Sequence, residues 1–194
     1  MTKNTDLYIL QKNLFNLYRT LRKNKKTHWD RILPFSELII DRWEKAKFTK
    51  AKYGASIYDS SLIFGKVSIG KNTWIGPYTI LDGSGGRLNI GDFCSISSGV
   101  QIYTHNSVNW ALTGGKSNYE NKSVSIGNFC YIGPYTVISL GTKIGKCCVI
   151  GAHSFVDSKI PSYSIAFGIP AKIVGKVKII GKKVQFNYFK NSTK

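Results

Sequence analysis

An all-β chain wound as a parallel β-helix, with a helical cap at its N-terminal end, is the fold the sequence predicts. Three observations predict it. Aliphatic residues recur every six positions at Ile57, Ile63, Ile69, Ile75 and Leu81, then at Ile90, Ile96 and Ile102, then from Ile126 through Ile132, Ile138, Ile144 and Ile150 to Val156. Glycine follows many of them, at Gly70, Gly76, Gly91, Gly127, Gly133, Gly145 and Gly151. Four positions after a repeat residue sits a small or slim one, such as Thr73, Thr79, Cys94, Thr136, Thr142 or Ser154. A lone strand alternates at two and an amphipathic helix at about 3.6, so a strict six fits neither. A fixed short period instead marks a solenoid whose rungs bury one aliphatic row against their neighbours.

Each six-residue unit reads as a short strand and a turn, and three units close one triangular coil. The glycine beside the aliphatic residue is expected to supply the backbone angles and close approach of a corner, with successive coils about 4.8 Å apart. The beat has two gaps. Leu81 to Ile90 is nine residues, so three extra residues bulge near Gly83-Ser84-Gly85-Gly86. Ile102 to Ile126 is twenty-four, which leaves an excursion loop over 106–123. A long excursion from a regular scaffold is usually functional.

Elsewhere the pattern changes. Leu7, Leu10, Leu14, Leu17, Tyr18 and Leu21 form a stripe at helical spacing over about 6–22, with Lys12, Arg19 and Arg22 on the other face. Such a basic amphipathic helix suits a membrane surface or a packed protein surface, and both readings stay open. A second helix is expected over about 36–47, separated from the first by Pro34. Together they should cap the first coil. Pro161 and Pro170 interrupt the repeat, and the apolar–basic alternation from Lys172 predicts one or two closing strands, with Lys190 to Lys194 disordered. The organisation is therefore a helical extension over 1–52, a β-helix over 53–177 and a tail over 178–194.

The net charge is +18, and its Lys and Arg residues gather at the two ends. No nucleic-acid-binding motif accompanies them, so anionic small molecules or acidic lipid headgroups fit better than a specific nucleic-acid partner. No stretch is long and apolar enough to span a bilayer. The polar N-terminal residues show no signal core, so a cytoplasmic location is expected, at the inner membrane face if the first helix touches lipid. Cys94, Cys130, Cys147 and Cys148 lack zinc spacing, and the inward positions of Cys94 and Cys130 suit reduced, packed thiols. No metal is expected.

Of three histidines, His28 and His153 have no supporting pattern, whereas His105 stands three places after Ile102 at the mouth of the loop. Imidazole is well matched to proton removal near neutral pH. Counting three repeats to a coil, Asp82 falls one coil before Tyr103 on the same face. It orients the imidazole, binds an acceptor hydroxyl, or caps the glycine turn. In the loop, Trp110 either stacks on a sugar face or packs against a neighbouring protomer.

This pattern resembles the hexapeptide-repeat acetyltransferases over roughly Ile57 to Val177. The resemblance implies a left-handed coil and a homotrimer using acetyl-CoA. It also implies that the histidine in Ile102-Tyr103-Thr104-His105-Asn106 is the catalytic base, with Asp82, Asn106 and Trp110 beside the acceptor. A Gly-Ala corner contact carries over to Gly151 and Ala152, contacts after the next repeat start to Asp157 and Ser158, and the terminal Gly-x-Pro-x-basic motif puts its basic residue at Lys172. The maltose and galactoside enzymes place a substrate-binding Asn where this chain has Gly76, so their acceptors do not transfer. The segment from Ile80 to Gly86, with Tyr103-Thr104-His105 and Trp110, resembles capsule and lipopolysaccharide acetyltransferases. It implies O-acetylation of a sugar or glycan. N-acetylation of a nucleotide-linked amino sugar and a non-enzymatic scaffold are the rival readings.

Overall fold

The computed structural model describes residues 2–189; the tail segment expected to be disordered, from Lys190 on, lies outside them. The hexad repeat builds a left-handed parallel β-helix with three inward rows. One row runs Ile57, Ile75, Ile96, Ile132, Ile150 and Ala166. A second runs Ile63, Leu81, Ile102, Ile138 and Val156. The third runs Ile69, Ile90, Ile126, Ile144 and Ile160. Ile75, Leu81, Ile96, Ile102, Ile132, Ile138 and Ile150 are fully buried. Each aliphatic side chain therefore meets its own kind one coil above and below, and that stack is the core.

Several of the residues two places before an inward aliphatic are small and polar and have a second role. They carry hydroxyls or thiols that donate to carbonyls of the next coil: Thr73 to Gly91 O, Ser61 to Gly76 O, Thr136 to Gly151 O and Thr142 to Val156 O. In one column the donors are thiols. Cys94, Cys130 and Cys148 reach Gly127 O, Gly145 O and Pro161 O at 3.0–3.1 Å. All four cysteines are buried and unpaired by disulfide. The neighbouring Cys130 thiol pulls the Cys148 thiol down to about 7 and lowers Cys94, while its closeness to both raises Cys130 itself.

The glycines differ from expectation in one respect. The left-handed backbone falls two residues after them, at Asn72, Phe93, Phe129 and Cys147 on one corner and at Tyr78, Tyr135 and His153 on another. Gly70, Gly91 and Gly127 are required for close approach alone, because a Cβ at each would stand 2.4–2.7 Å from atoms of the next coil. Stacking at strand spacing leaves no room for a side chain there.

At the N-terminal end, helix α1 (Thr2–Trp29) runs past both limits of the predicted 6–22 segment. The segment predicted over 36–47 is two helices, α2 (Phe35–Ile39) and α3 (Arg42–Phe48), divided where Asp41 caps α3 by accepting from Trp43 N at 2.7 Å. The cap over the first coil comes from α2 and α3. Ala46 joins the core, Lys45 donates to Asp59 O and Ser61 O, and the buried Glu37 carboxylate accepts from Ser60. Helix α1 does not cover the coil as expected. It touches α2 near Tyr18 and Phe35 and leaves its apolar stripe exposed. At the other end Ser164–Gly168, Ala171–Ile180 and Lys183–Tyr188 form antiparallel strands that continue the first face and close the last coil.

Thr79 Oγ1 is buried without a partner, and the same column carries Val100 one coil on. Thr79→Val should therefore be neutral or stabilising, since it removes an unsatisfied group and keeps the shape. Ile132→Ala should cost about 2–5 kcal/mol, because it opens a cavity in the stack. Chemical denaturation of the two variants checks both directions.

Candidate active site

The nine-residue gap and the long loop meet at one corner. Ile80–Ile90 is a single strand that rounds the corner and pairs with Leu62–Ile69, with a register shift between Gly65 and Val67 that absorbs the extra residues. Gln101–Tyr103 pairs with it on the next coil, Asp82 opposite Tyr103. Thr104, fully buried, fastens the two coils: its Oγ1 donates to Asp82 O at 2.9 Å and accepts from Gly85 N at 3.1 Å. The chain then leaves the coil at His105 and comes back antiparallel to itself. His105 pairs with Asn121 and Asn106 with Glu120, with helix α4 (Val108–Leu112) between. Lys122 N returns to Thr104 O at 2.9 Å, and Val124 re-enters the third face.

His105 Nδ1 lies 3.6 Å from Asp82 Oδ2 and is buried without a hydrogen-bond partner. The other carboxylate oxygen, Oδ1, is held by Ser84, from N at 2.8 Å and from Oγ at 2.5 Å. Asp82 thus caps the glycine turn, one of the roles left open in the sequence, and faces the imidazole without hydrogen bonding to it. Burial and the Asp82 charge push the Tyr103 phenol up, and its hydroxyl donates to Gln101 Oε1. Tyr119 lies parallel to the His105 ring with centroids 6.0 Å apart, and Trp110 meets Tyr119 edge-on at 5.7 Å.

An open groove of about 770 Å³ is lined by Ser84, Gly85, His105, Trp110, Asn118, Tyr119 and Asn121. Asn106 is not among them. Its amide donates to Glu120 Oε2 and accepts from Val108 N, which fixes the start of the loop. Gly151, Ala152, Asp157, Ser158 and Lys172 also lie outside this groove. Asp157 follows Val156, in the row of Ile102 but two coils further on, whereas Gly151 and Ala152 follow Ile150 on the preceding corner. Lys172 is on the antiparallel strand after the coil. Asn118 and Asn121 are groove residues that sequence reasoning did not single out, and Ser84 and Tyr119 are ones to which it gave no role of their own. The antiparallel return of a loop with no periodicity of its own is what brings Tyr119 and Asn121 to the histidine.

The family model described as bacterial transferase hexapeptide (six repeats) matches residues 123–158. The repeat is that of the bacterial hexapeptide transferases. Among similar proteins, a probable acetyltransferase of Mycobacterium tuberculosis is 34% identical over 118 residues, 60% of this chain and 38% of that one. The galactoside O-acetyltransferase of Escherichia coli is 26% identical over 143 residues, 63% of this chain and 70% of that one. The dTDP-3-amino-3,6-dideoxy-alpha-D-galactopyranose 3-N-acetyltransferase of Aneurinibacillus thermoaerophilus is 42% identical over 55 residues, 28% and 29% of the two chains. Less than two fifths of the Mycobacterium relative is thus spanned. The same hexapeptide coil superimposes on a galactoside acetyltransferase in complex with coenzyme A with a TM-score of 0.62, 23% identity and 82% of each chain covered.

At Gly85 the corner tolerates no side chain, and there the obstacle is the histidine itself. A Cβ there would stand 2.4 Å from His105 Cβ and 2.8 Å from Thr104 O. Gly85→Ala is expected to displace His105 while leaving the cooperative melt of the coil, so the His105 imidazole signals should move in an NMR spectrum of a folded variant. A second outcome concerns Glu120, whose carboxyl is held below the usual range by Lys122 and Asn106. With a lowered folded value, its contribution is full above about 4.3 and is lost as pH falls through that lower value. Lys122→Met should raise the Glu120 midpoint in an NMR titration.

Proposed function

We propose that this protein transfers an acetyl group from acetyl-CoA to a hydroxyl of a sugar or glycan in surface-polysaccharide assembly, with the chemistry carried by residues 53–177. The observation that carries the reading is the His105–Asp82 pair, 3.6 Å apart, at the mouth of an open aromatic-walled groove on a hexapeptide coil. The acceptor hydroxyl gives its proton to Nε2 of His105, and its oxygen attacks the thioester carbonyl directly. The tetrahedral oxyanion collapses, the C–S bond breaks, and the imidazolium returns its proton to the leaving thiolate. Asp82 sits against Nδ1, where a carboxylate stabilises the imidazolium as it forms. Trp110 and Tyr119 offer flat apolar faces to a pyranose ring, with Asn118, Asn121 and Ser84 as hydrogen-bonding groups beside them.

Acetyl-CoA has a long pantetheine arm with amides and three phosphates. The corner at half-buried Gly151 and exposed Ala152 suits the arm, with Asp157 and Ser158 on a later corner, and the Lys172 ammonium suits a phosphate. None of these lines the His105 groove, and we assign them to a cleft completed by a neighbouring subunit of a homotrimer. A cytoplasmic site of action belongs to the same reading. Both O- and N-acetyltransferases stand among the relatives; the polar groove with its single imidazole base serves either acceptor atom, and the product decides.

Thiol release from acetyl-CoA is measured with a panel of nucleotide sugars and glycan fragments. His105→Ala should lower kcat about 10²–10⁴-fold, and Asp82→Asn should lower it less. Mass spectrometry of the product separates ester from amide, and an amide would favour the amino-sugar reading. If acetyl-CoA neither reacts nor binds in calorimetry, the acyltransferase reading falls and a scaffold takes its place.

A further inference from the structure

Among the apolar surfaces the described chain leaves uncovered, a large one belongs to α1. Leu7, Tyr8, Leu10, Leu14, Phe15 and Leu17 are each 47–66% exposed. Only the later turns are held, where Tyr18 and Leu21 are partly buried and Tyr18 meets Phe35. At 1.5 Å per residue the helix is about 42 Å long, yet no described helix is apolar enough along its length to cross a membrane.

What covers that face is decided by charge. The sequence of α1 contains seven Lys and Arg residues against one acid, Asp6. The cations edge the apolar face: the Arg19 guanidinium lies over the Phe15 ring at 4.6 Å and that of Arg22 over the Tyr18 ring at 4.1 Å. Long basic side chains on the rim of an apolar stripe are placed to reach phosphates while the stripe enters a hydrocarbon layer. A second copy of this chain is a poor occupant. With 28 cations and 10 acids it offers little acidic surface to a helix of the same sign. A nucleic acid matches the charge but leaves six large apolar side chains in water.

We propose that α1 lies in the interface of an anionic phospholipid bilayer, apolar face down, and tethers the coil to it. This attachment is independent of the acyl-transfer reading, because it uses no residue of the His105 groove.

The full-length protein is sedimented with vesicles of phosphatidylcholine alone and with vesicles that mix in phosphatidylglycerol, while light scattering reads its oligomeric state. Bound protein should be at least about tenfold higher on the mixed vesicles and fall with added salt. The exposed pair Leu10→Glu and Leu14→Glu should abolish binding, with helicity by circular dichroism and oligomeric state unchanged. Replacing Arg19, Arg22 and Lys23 by Gln should weaken binding to the mixed vesicles. A parent protein that stays in the supernatant with both vesicles overturns the proposal. So does a Leu10/Leu14 variant that binds as the parent does, or one whose oligomer dissociates, since α1 would then be covered by another copy.

Discussion

Everything in this molecule depends on the contact between one coil and the next. Parallel strands stacked at about 4.8 Å bring each inward isoleucine onto its counterpart, the small hydroxyls and thiols other than Thr79 onto carbonyls, and the corner glycines close against the next coil. The three interactions impose the same register, so a slip of one residue breaks all of them together. Neighbouring coils therefore behave as one body, and groups from different coils can be held at fixed distances without contacts of their own. The approach of Asp82 to His105 is of this kind. They come from successive coils, and the Thr104 hydroxyl, bridging Asp82 O and Gly85 N, is the local fastening.

Residues governed by the repeat were legible before any coordinates. Apart from its two gaps, the hexad beat marks the inward rows from Ile57 to Val156, and the buried Cys94 and Cys130 stand where the beat puts small residues. Asp82 and Tyr103 are paired across coils because counting repeats is enough to find the partner. The role of the corner glycines was only half legible. Closeness between coils is a property of the stack, whereas the left-handed turn falls on Phe93, Phe129 and Tyr135, residues whose chemistry gives no sign of it.

Where the repeat stops, legibility stops with it. The loop over 106–123 has no period, so nothing in its sequence placed Tyr119 on the imidazole or turned the Asn106 side chain toward Glu120. The long helix was visible as a stripe, but a stripe states only that a face is apolar. Which surface meets it is decided by α2 and α3, which take over the end of the coil and leave α1 free along most of its length.

The loop leaves the coil at His105 and returns through Lys122 to the same Thr104 carbonyl that it left behind. Its two ends are thus neighbours, and Ile102 and Ile126 take their places in the stack whatever lies between them. Such a corner works as a splice point. Segments of other lengths and compositions can be exchanged there without shifting a single inward residue, while the imidazole stays fixed at the junction. What stands over the imidazole is then a matter of the hairpin alone, while the stack beneath keeps its register.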